Sequence, residues 1–166
     1  LEPLKKNGID YSIFSKVVAD PTVDVVIAGV KDALACKGKY IVAVGGGSAM
    51  DTSKAIRKFA GQIDETYHPE LICIPTTSGT GSEVTSFAVI SDTEHNTKIP
   101  LISDDMTPEE AILDEVLVKS VPKSITADTG MDVITHAMES YVSLNNNEFS
   151  GALAEKAVEI CGQFLL

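Results

Sequence analysis

Asp132 and His136 are the residues of this sequence whose types and spacing point most directly to chemistry. The stretch 124–143 reads as a helix, and side chains four apart on a helix project from one face, one turn from each other. A carboxylate and an imidazole in that arrangement can grip one divalent cation. The same spacing also describes a surface pair or a satisfied core histidine. A zinc or iron site takes about three or four protein ligands, so this pair is an incomplete one. The other two histidines do not extend it: His68 precedes a proline in a polar loop and His95 sits at a hairpin tip, and both are expected to be exposed and idle. Glu139, a turn beyond His136, could orient it, cap the helix or form a surface ion pair.

A second constellation is Gly45-Gly46-Gly47-Ser48, directly after an apolar run and at the start of a helix. Glycines there admit a phosphate close to the backbone, and the free amides and positive helix end favour the anion. Ser48 can add its hydroxyl or act as an N-cap; a plain tight turn is the alternative. The pattern is neither G-x-G-x-x-G, because Met50 breaks it, nor a P-loop, because Gly-Lys-Ser/Thr is absent. Asp51 suits the positive end of the following helix, and Lys54 is expected on its solvated face. The third constellation is the polar loop 76–83, rich in Thr, Ser and Gly, which follows an apolar run ending at Pro75. In a parallel sheet ligands bind at the carboxyl ends of strands, so this loop and the glycine turn can flank one crevice. No Ser/His/Asp triad can be assembled, and no cysteine has a partner for thiol catalysis.

The elements that must hold these residues alternate. A strand is expected at 9–14. Asp20-Pro21-Thr22 then opens a helix with Val23, Val26, Ile27, Val30 and Leu34 in a 3.6-residue period, and Gly38 lies just past its end. A buried strand at 40–44, a helix to about residue 60, and a second buried strand at 71–74 follow. This succession is the mark of a parallel sheet with crossover helices. Residues 84–91 and 98–102 read as a hairpin around 92–96, and 110–113 as a last short strand. From Pro122 onward only helix signals remain, with Asn145-Asn146-Asn147 as a linker. The expected organisation is an α/β dinucleotide-binding domain over 1–121, followed by the beginning of an all-helical domain over 122–166.

The bulk properties of the 166 residues narrow the partners. Hydrophobic residues make up 44% and charged residues 22%, a globular composition, and the formal net charge is −11. Such a surface repels phosphate backbones, which disfavours nucleic acid, whereas loop amides can still hold a dinucleotide. No apolar run reaches bilayer length, and the N-terminus lacks the apolar core of a signal peptide, so a cytoplasmic location and no membrane partner are expected. Cys36, Cys73 and Cys161 read as buried free thiols. Residues 1–7 look like the tail of a helix, and the far end is helical and uncapped, so the chain reads as a piece of a longer protein.

Three blocks in order carry a resemblance: Gly45–Lys54, Pro75–Thr85 and Gly130–Tyr141. Together they resemble the iron-containing (group III) alcohol dehydrogenases, nearest to members acting on short primary alcohols. The resemblance implies a dinucleotide-binding domain and a helical domain with the active site between them. It implies NAD or NADP, with NAD favoured, and Fe²⁺, with Zn²⁺ as the alternative. It assigns Gly46, Gly47 and Ser48 to the cofactor pyrophosphate, and Thr76, Thr77 and Thr85 to its phosphates and nicotinamide side. Phe87 would lie near the nicotinamide, Lys98 near its ribose and Leu117 at the adenine end. Asp132 and His136 would be two of four metal ligands, the other two lying beyond this chain. The implied function is metal-assisted hydride transfer between a small alcohol or aldehyde and NAD(P); a homo-oligomer is compatible with it. Two alternatives stand beside it: a relative with another NAD-dependent reaction, dehydroquinate-synthase-like or glycerol-dehydrogenase-like, and a nucleotide-binding fragment without turnover.

Overall fold

The computed structural model describes residues 1–165. Helices and strands alternate through the first two thirds of the chain and give way to helices alone, a mixed α/β architecture with a parallel sheet. After a short α1 (Glu2–Lys6), the first long helix is α2 (Val23–Cys36). Its N-terminus is capped by Thr22, whose hydroxyl accepts from the Val25 amide and satisfies one of the orphan first-turn donors. Its C-terminus ends at Lys37 in the left-handed conformation, φ 51°. The sequence pointed to Gly38 for this stop; the left-handed residue is one position earlier. Of the five periodic apolar residues, Val26 and Val30 are buried, while Val23 and Ile27 are exposed.

Strand β1 (Tyr40–Gly45) leads into α3 (Gly47–Ile63), and β2 (Glu70–Pro75) follows. β1 and β2 pair in parallel from Tyr40–Glu70 to Gly45–Pro75, so their carboxyl ends lie side by side. The short β5 (Glu110–Ala111) pairs in parallel with β2 on its other side, giving the order β1-β2-β5. Between β2 and β5 the chain forms an antiparallel hairpin, β3 (Phe87–Asp92) and β4 (Thr97–Ile102). α3 is the central helix: it packs on α2, on β1 and β2, and on β3. One core joins Val26 and Val30 of α2 to Ala55, Ile56 and Ala60 of α3 and Ile90 of the hairpin. A second joins Met50 of α3 to Ala43, Leu71 and Cys73 of the sheet.

Two expectations fail here. Residues 9–14 form no strand: alternation favours extended backbone, but a strand needs a hydrogen-bonding neighbour, and none flanks this segment among the described residues. Ile9 and Ile13 are exposed, and only Phe14 reaches the core. β1 is also not buried throughout. Ala43 faces α3, while Tyr40, Val42 and Val44 lie on the open face of the sheet.

After α4 (Glu115–Val118) come α5 (Lys123–Val142) and α6 (Glu148–Phe164), which pack against each other. The turn between them is set by Asn147, whose side chain accepts from the Phe149 and Ser150 amides while its own amide donates to the Ser150 hydroxyl. No helix among the described residues is long and apolar enough to cross a membrane.

Candidate active site at the carboxyl edge of the sheet

The glycine turn is built by backbone constraints. Gly45 has φ 155°, and a Cβ there would meet the Ala49 Cβ at 2.7 Å, so only glycine fits. Gly46 is the N-cap of α3, and Gly47 and Ser48 are its first helical residues, so their amides belong to the turn that has no carbonyl partner within the helix. The Thr loop is fastened alongside. The Thr76 amide donates to the Gly45 carbonyl at 2.8 Å. A Cβ on Gly46 would come within 3.1 Å of Thr77 Oγ1, and one on Gly47 within 3.0 Å of Thr80 Cγ2. The two loops therefore leave adjacent parallel strands and touch, with hydroxyls facing the helix start. Free helix-start amides beside hydroxyls are the donor set a phosphate takes, and a methyl on either glycine would push the Thr loop away from the turn.

The Thr loop also reaches α5. A Cβ on Gly79 would lie 2.6 Å from both Cβ and O of Thr129, so loop and helix meet backbone to backbone. Asp132 is less than one turn further along α5. Its Oδ1 stands 3.7 Å from His136 Nε2, too far for a hydrogen bond and with both side chains about half-exposed. Metal–ligand bonds of about 2.1 Å each sum to more than this gap, so both atoms can reach one cation. They fit as half of a site: no group of three or more His, Cys, Asp or Glu converges among the described residues.

The remaining assigned residues are distributed unevenly. Thr85 is half-buried just before β3, and Phe87, at the start of that strand, is exposed. Leu117 lies half-buried on α4, which follows β5, so it too emerges from the carboxyl edge of the sheet. Lys98 is set apart. It pairs with Ser91 across the hairpin while Phe87 pairs with Ile102, and its ammonium bonds the exposed Asp20 carboxylate at 2.8 Å.

The largest departure from expectation is Lys54. It is not on a solvated face but is 0% exposed, its ammonium enclosed by α3, the 3-10 turn Ser82–Val84 and the start of β3. It donates to Ser82 Oγ, Thr85 Oγ1 and the Phe87 carbonyl at 3.0, 3.1 and 2.7 Å. Burial pushes its pKa below the usual lysine value, against the pull of Asp51, Cys73 and Glu83. Asp51, one turn earlier, accepts from Ser82 Oγ at 2.7 Å and from the Val89 amide at 2.9 Å. The i, i+3 spacing of Asp51 and Lys54 puts them on one helix face but reads equally as a solvated pair, so it did not announce this network. Among the cysteines, Cys73 is buried and Cys36 is exposed, so the uniform expectation of buried thiols does not hold. His68 and His95 are exposed as expected, but His95 is not idle: its ring bonds the Asp92 carboxylate at 2.7 Å.

A parallel sheet with crossover helices, a glycine turn at a helix start and a hydroxyl-rich loop on the same edge define an α/β protein of the kind that places its ligand site at the carboxyl ends of the strands. Sequence comparison resolves the class further. The family model for iron-containing alcohol dehydrogenase matches residues 1–115, and the C-terminal model of the Fe-containing alcohol dehydrogenase family matches residues 126–165; the chain belongs to this family. It is 49% identical over 154 residues to a 1-propanol dehydrogenase of Citrobacter freundii, covering 93% of this chain and 41% of that protein. With an NADPH-dependent butanol dehydrogenase of Clostridium saccharobutylicum it shares 36% over 176 residues, 98% of this chain and 45% of the relative. Among solved structures, sulfoacetaldehyde reductase from Bifidobacterium kashiwanohense in complex with NAD⁺ superposes with a TM-score of 0.90 at 34% identity, covering 99% of this chain and 47% of that one. The chain thus spans less than half the length of these relatives.

Proposed function

We propose that the protein containing this chain interconverts small primary alcohols and aldehydes, using a dinucleotide at the carboxyl edge of the sheet and a divalent metal held in part by Asp132 and His136. The observation that carries this reading is one of continuity. Gly46 and Gly47 abut Thr77 and Thr80, and Gly79 of the same loop abuts Thr129, less than a turn from Asp132. A ligand held by the glycine turn is thereby kept in register with the helix bearing the carboxylate–imidazole pair.

On this reading the amides of Gly47 and Ser48, with the Ser48 hydroxyl, bind the pyrophosphate at the positive end of α3. Thr76, Thr77 and Thr85 supply hydroxyls along the dinucleotide, Phe87 offers an apolar face, and Leu117 packs the distal end. Lys98 would have to leave Asp20 to reach a ribose. Asp132 and His136 hold the cation, Fe²⁺ with Zn²⁺ as the alternative. When bound, the nicotinamide exchanges a hydride with the carbonyl carbon and the metal supplies Lewis acidity at the carbonyl oxygen. The division between a dinucleotide domain and a helical domain at 121/122 belongs to the same proposal, and it falls between the segments matched by the two family models. The isolated 166-residue chain, with two ligands only, is expected to bind the dinucleotide weakly and to retain metal poorly.

The test is aldehyde reduction by the full-length protein. NADH or NADPH should be consumed mole for mole with propanal, lost on chelation and restored by Fe²⁺. Absence of coenzyme oxidation with propanal and butanal in the metal-loaded protein would refute the reading.

A further inference from the structure

Lys54 is a buried cation that the proposed reaction does not itself use. Burying an ammonium is costly unless its hydrogen bonds are all made, and here three protons meet three acceptors. None of the three is a carboxylate. The nearest, Asp51, is reached through Ser82, whose own proton is already directed to Asp51 Oδ1. The consequence falls on Thr85. Its Oγ1 accepts from Lys54, so its own proton must be given elsewhere, and among the described residues it has no acceptor. The side chain is half-exposed at the start of the hairpin. The ammonium thus occupies one lone pair of the hydroxyl, which limits its rotation and leaves its proton available to an outside acceptor.

We propose that Lys54 is a positioning residue for dinucleotide binding: it holds the Thr85 hydroxyl as a donor to an acceptor oxygen of the bound coenzyme, and holds the Phe87 backbone beside it. This inference rests on the dinucleotide reading above and adds to it a residue that never touches the ligand. A purely architectural lysine, pinning α3 to the hairpin, would make the same three bonds but would not act through Thr85.

A double-mutant cycle in the full-length protein separates the two. Coenzyme affinity is measured by NADH and NADPH fluorescence for the wild type, Lys54→Met, Thr85→Val and the double variant, with thermal melting and the KM for propanal as companion readouts. Each single variant should weaken binding about fivefold or more, the loss of one well-made hydrogen bond. The double variant should bind no worse than the weaker single one, and the KM for propanal should stay unchanged. Penalties that multiply, or a folded Lys54→Met protein that binds as well as wild type, overturn the proposal. If the wild type binds coenzyme and Thr85→Val is silent, the Lys54 assignment falls and the dinucleotide reading stands; if the wild type binds neither coenzyme, both fall. Should Lys54→Met not fold, Lys54→Gln, which keeps a shorter neutral donor, takes its place in the cycle. Failure of both to fold makes Lys54 a determinant of the fold and overturns the positioning role.

Discussion

Gly79→Ala probes the joint on which the proposed site depends. The added Cβ would lie 2.6 Å from both the Cβ and the carbonyl oxygen of Thr129 and 3.1 Å from its carbonyl carbon. Relaxed carbon–carbon contacts are about 3.5–4.0 Å, so loop and helix must separate by about 1 Å. The obstacle is helix backbone, which cannot rotate aside as a side chain would. Overpacking of this kind costs about 1–3 kcal/mol of stability. The functional cost should fall near the top of that range, because displacing reacting groups by about 1 Å can lower a rate by about 100-fold, about 2.7 kcal/mol. Asp132 lies three residues beyond Thr129, and the glycine turn is not touched. The full-length variant should thus show kcat for propanal reduction lowered by about 100-fold, with coenzyme affinity changed by no more than about threefold. Gly162→Ala is the matched control: a Cβ there meets nothing within 4 Å. In the interior of α6 it should stabilise by up to about 1 kcal/mol and leave kcat alone. A Gly79→Ala protein with wild-type kcat would refute the claim that the Thr loop sets the position of α5.

Leu71→Ala removes a fully buried side chain at the centre of the sheet core and should cost about 2–5 kcal/mol in denaturant unfolding, with little effect on the spectrum of the folded state. Cys36 should react with a thiol reagent at pH 8 in the native protein, whereas Cys73, buried in the sheet and with its pKa pushed up to about 11, should react only on unfolding. The same shift has a sign for stability. Between the thiol's ordinary value of 9.0 and about 11 the unfolded chain gives up the Cys73 proton first, so stability should fall as pH rises through that window. Cys73→Ala should flatten that part of the pH–stability curve.

Much of the scaffold could be read from local pattern. The strand–helix alternation, the hairpin turn at 92–96 and the long helix carrying Asp132 and His136 follow from periodicity and turn chemistry, which act within a few residues. The glycine turn was legible because strand, three glycines and helix are consecutive. What escaped depends on distant partners. Lys54 reads as a surface lysine by type and becomes a buried one only because Ser82, Thr85 and Phe87, some thirty residues on, fold over it. The segment 9–14 alternates like a strand but has no neighbour to bond, and no local pattern announces that. Lys37, not Gly38, takes the left-handed position because the helix runs through Cys36, a boundary difference of one residue. The contact between Gly79 and Thr129 joins residues fifty apart and carries no mark in either local sequence.

On the proposed function, the glycine turn on α3 and the carboxylate–imidazole pair on α5 serve one cleft. The most direct measurement is paramagnetic relaxation of bound coenzyme in the full-length protein loaded with Co²⁺. The expected result is strong enhancement at the nicotinamide protons, weaker enhancement at the adenine protons, and loss of both when His136→Gln abolishes metal binding. Equal enhancement at the two ends of the coenzyme, or none at the nicotinamide with metal and coenzyme both bound, would contradict the account.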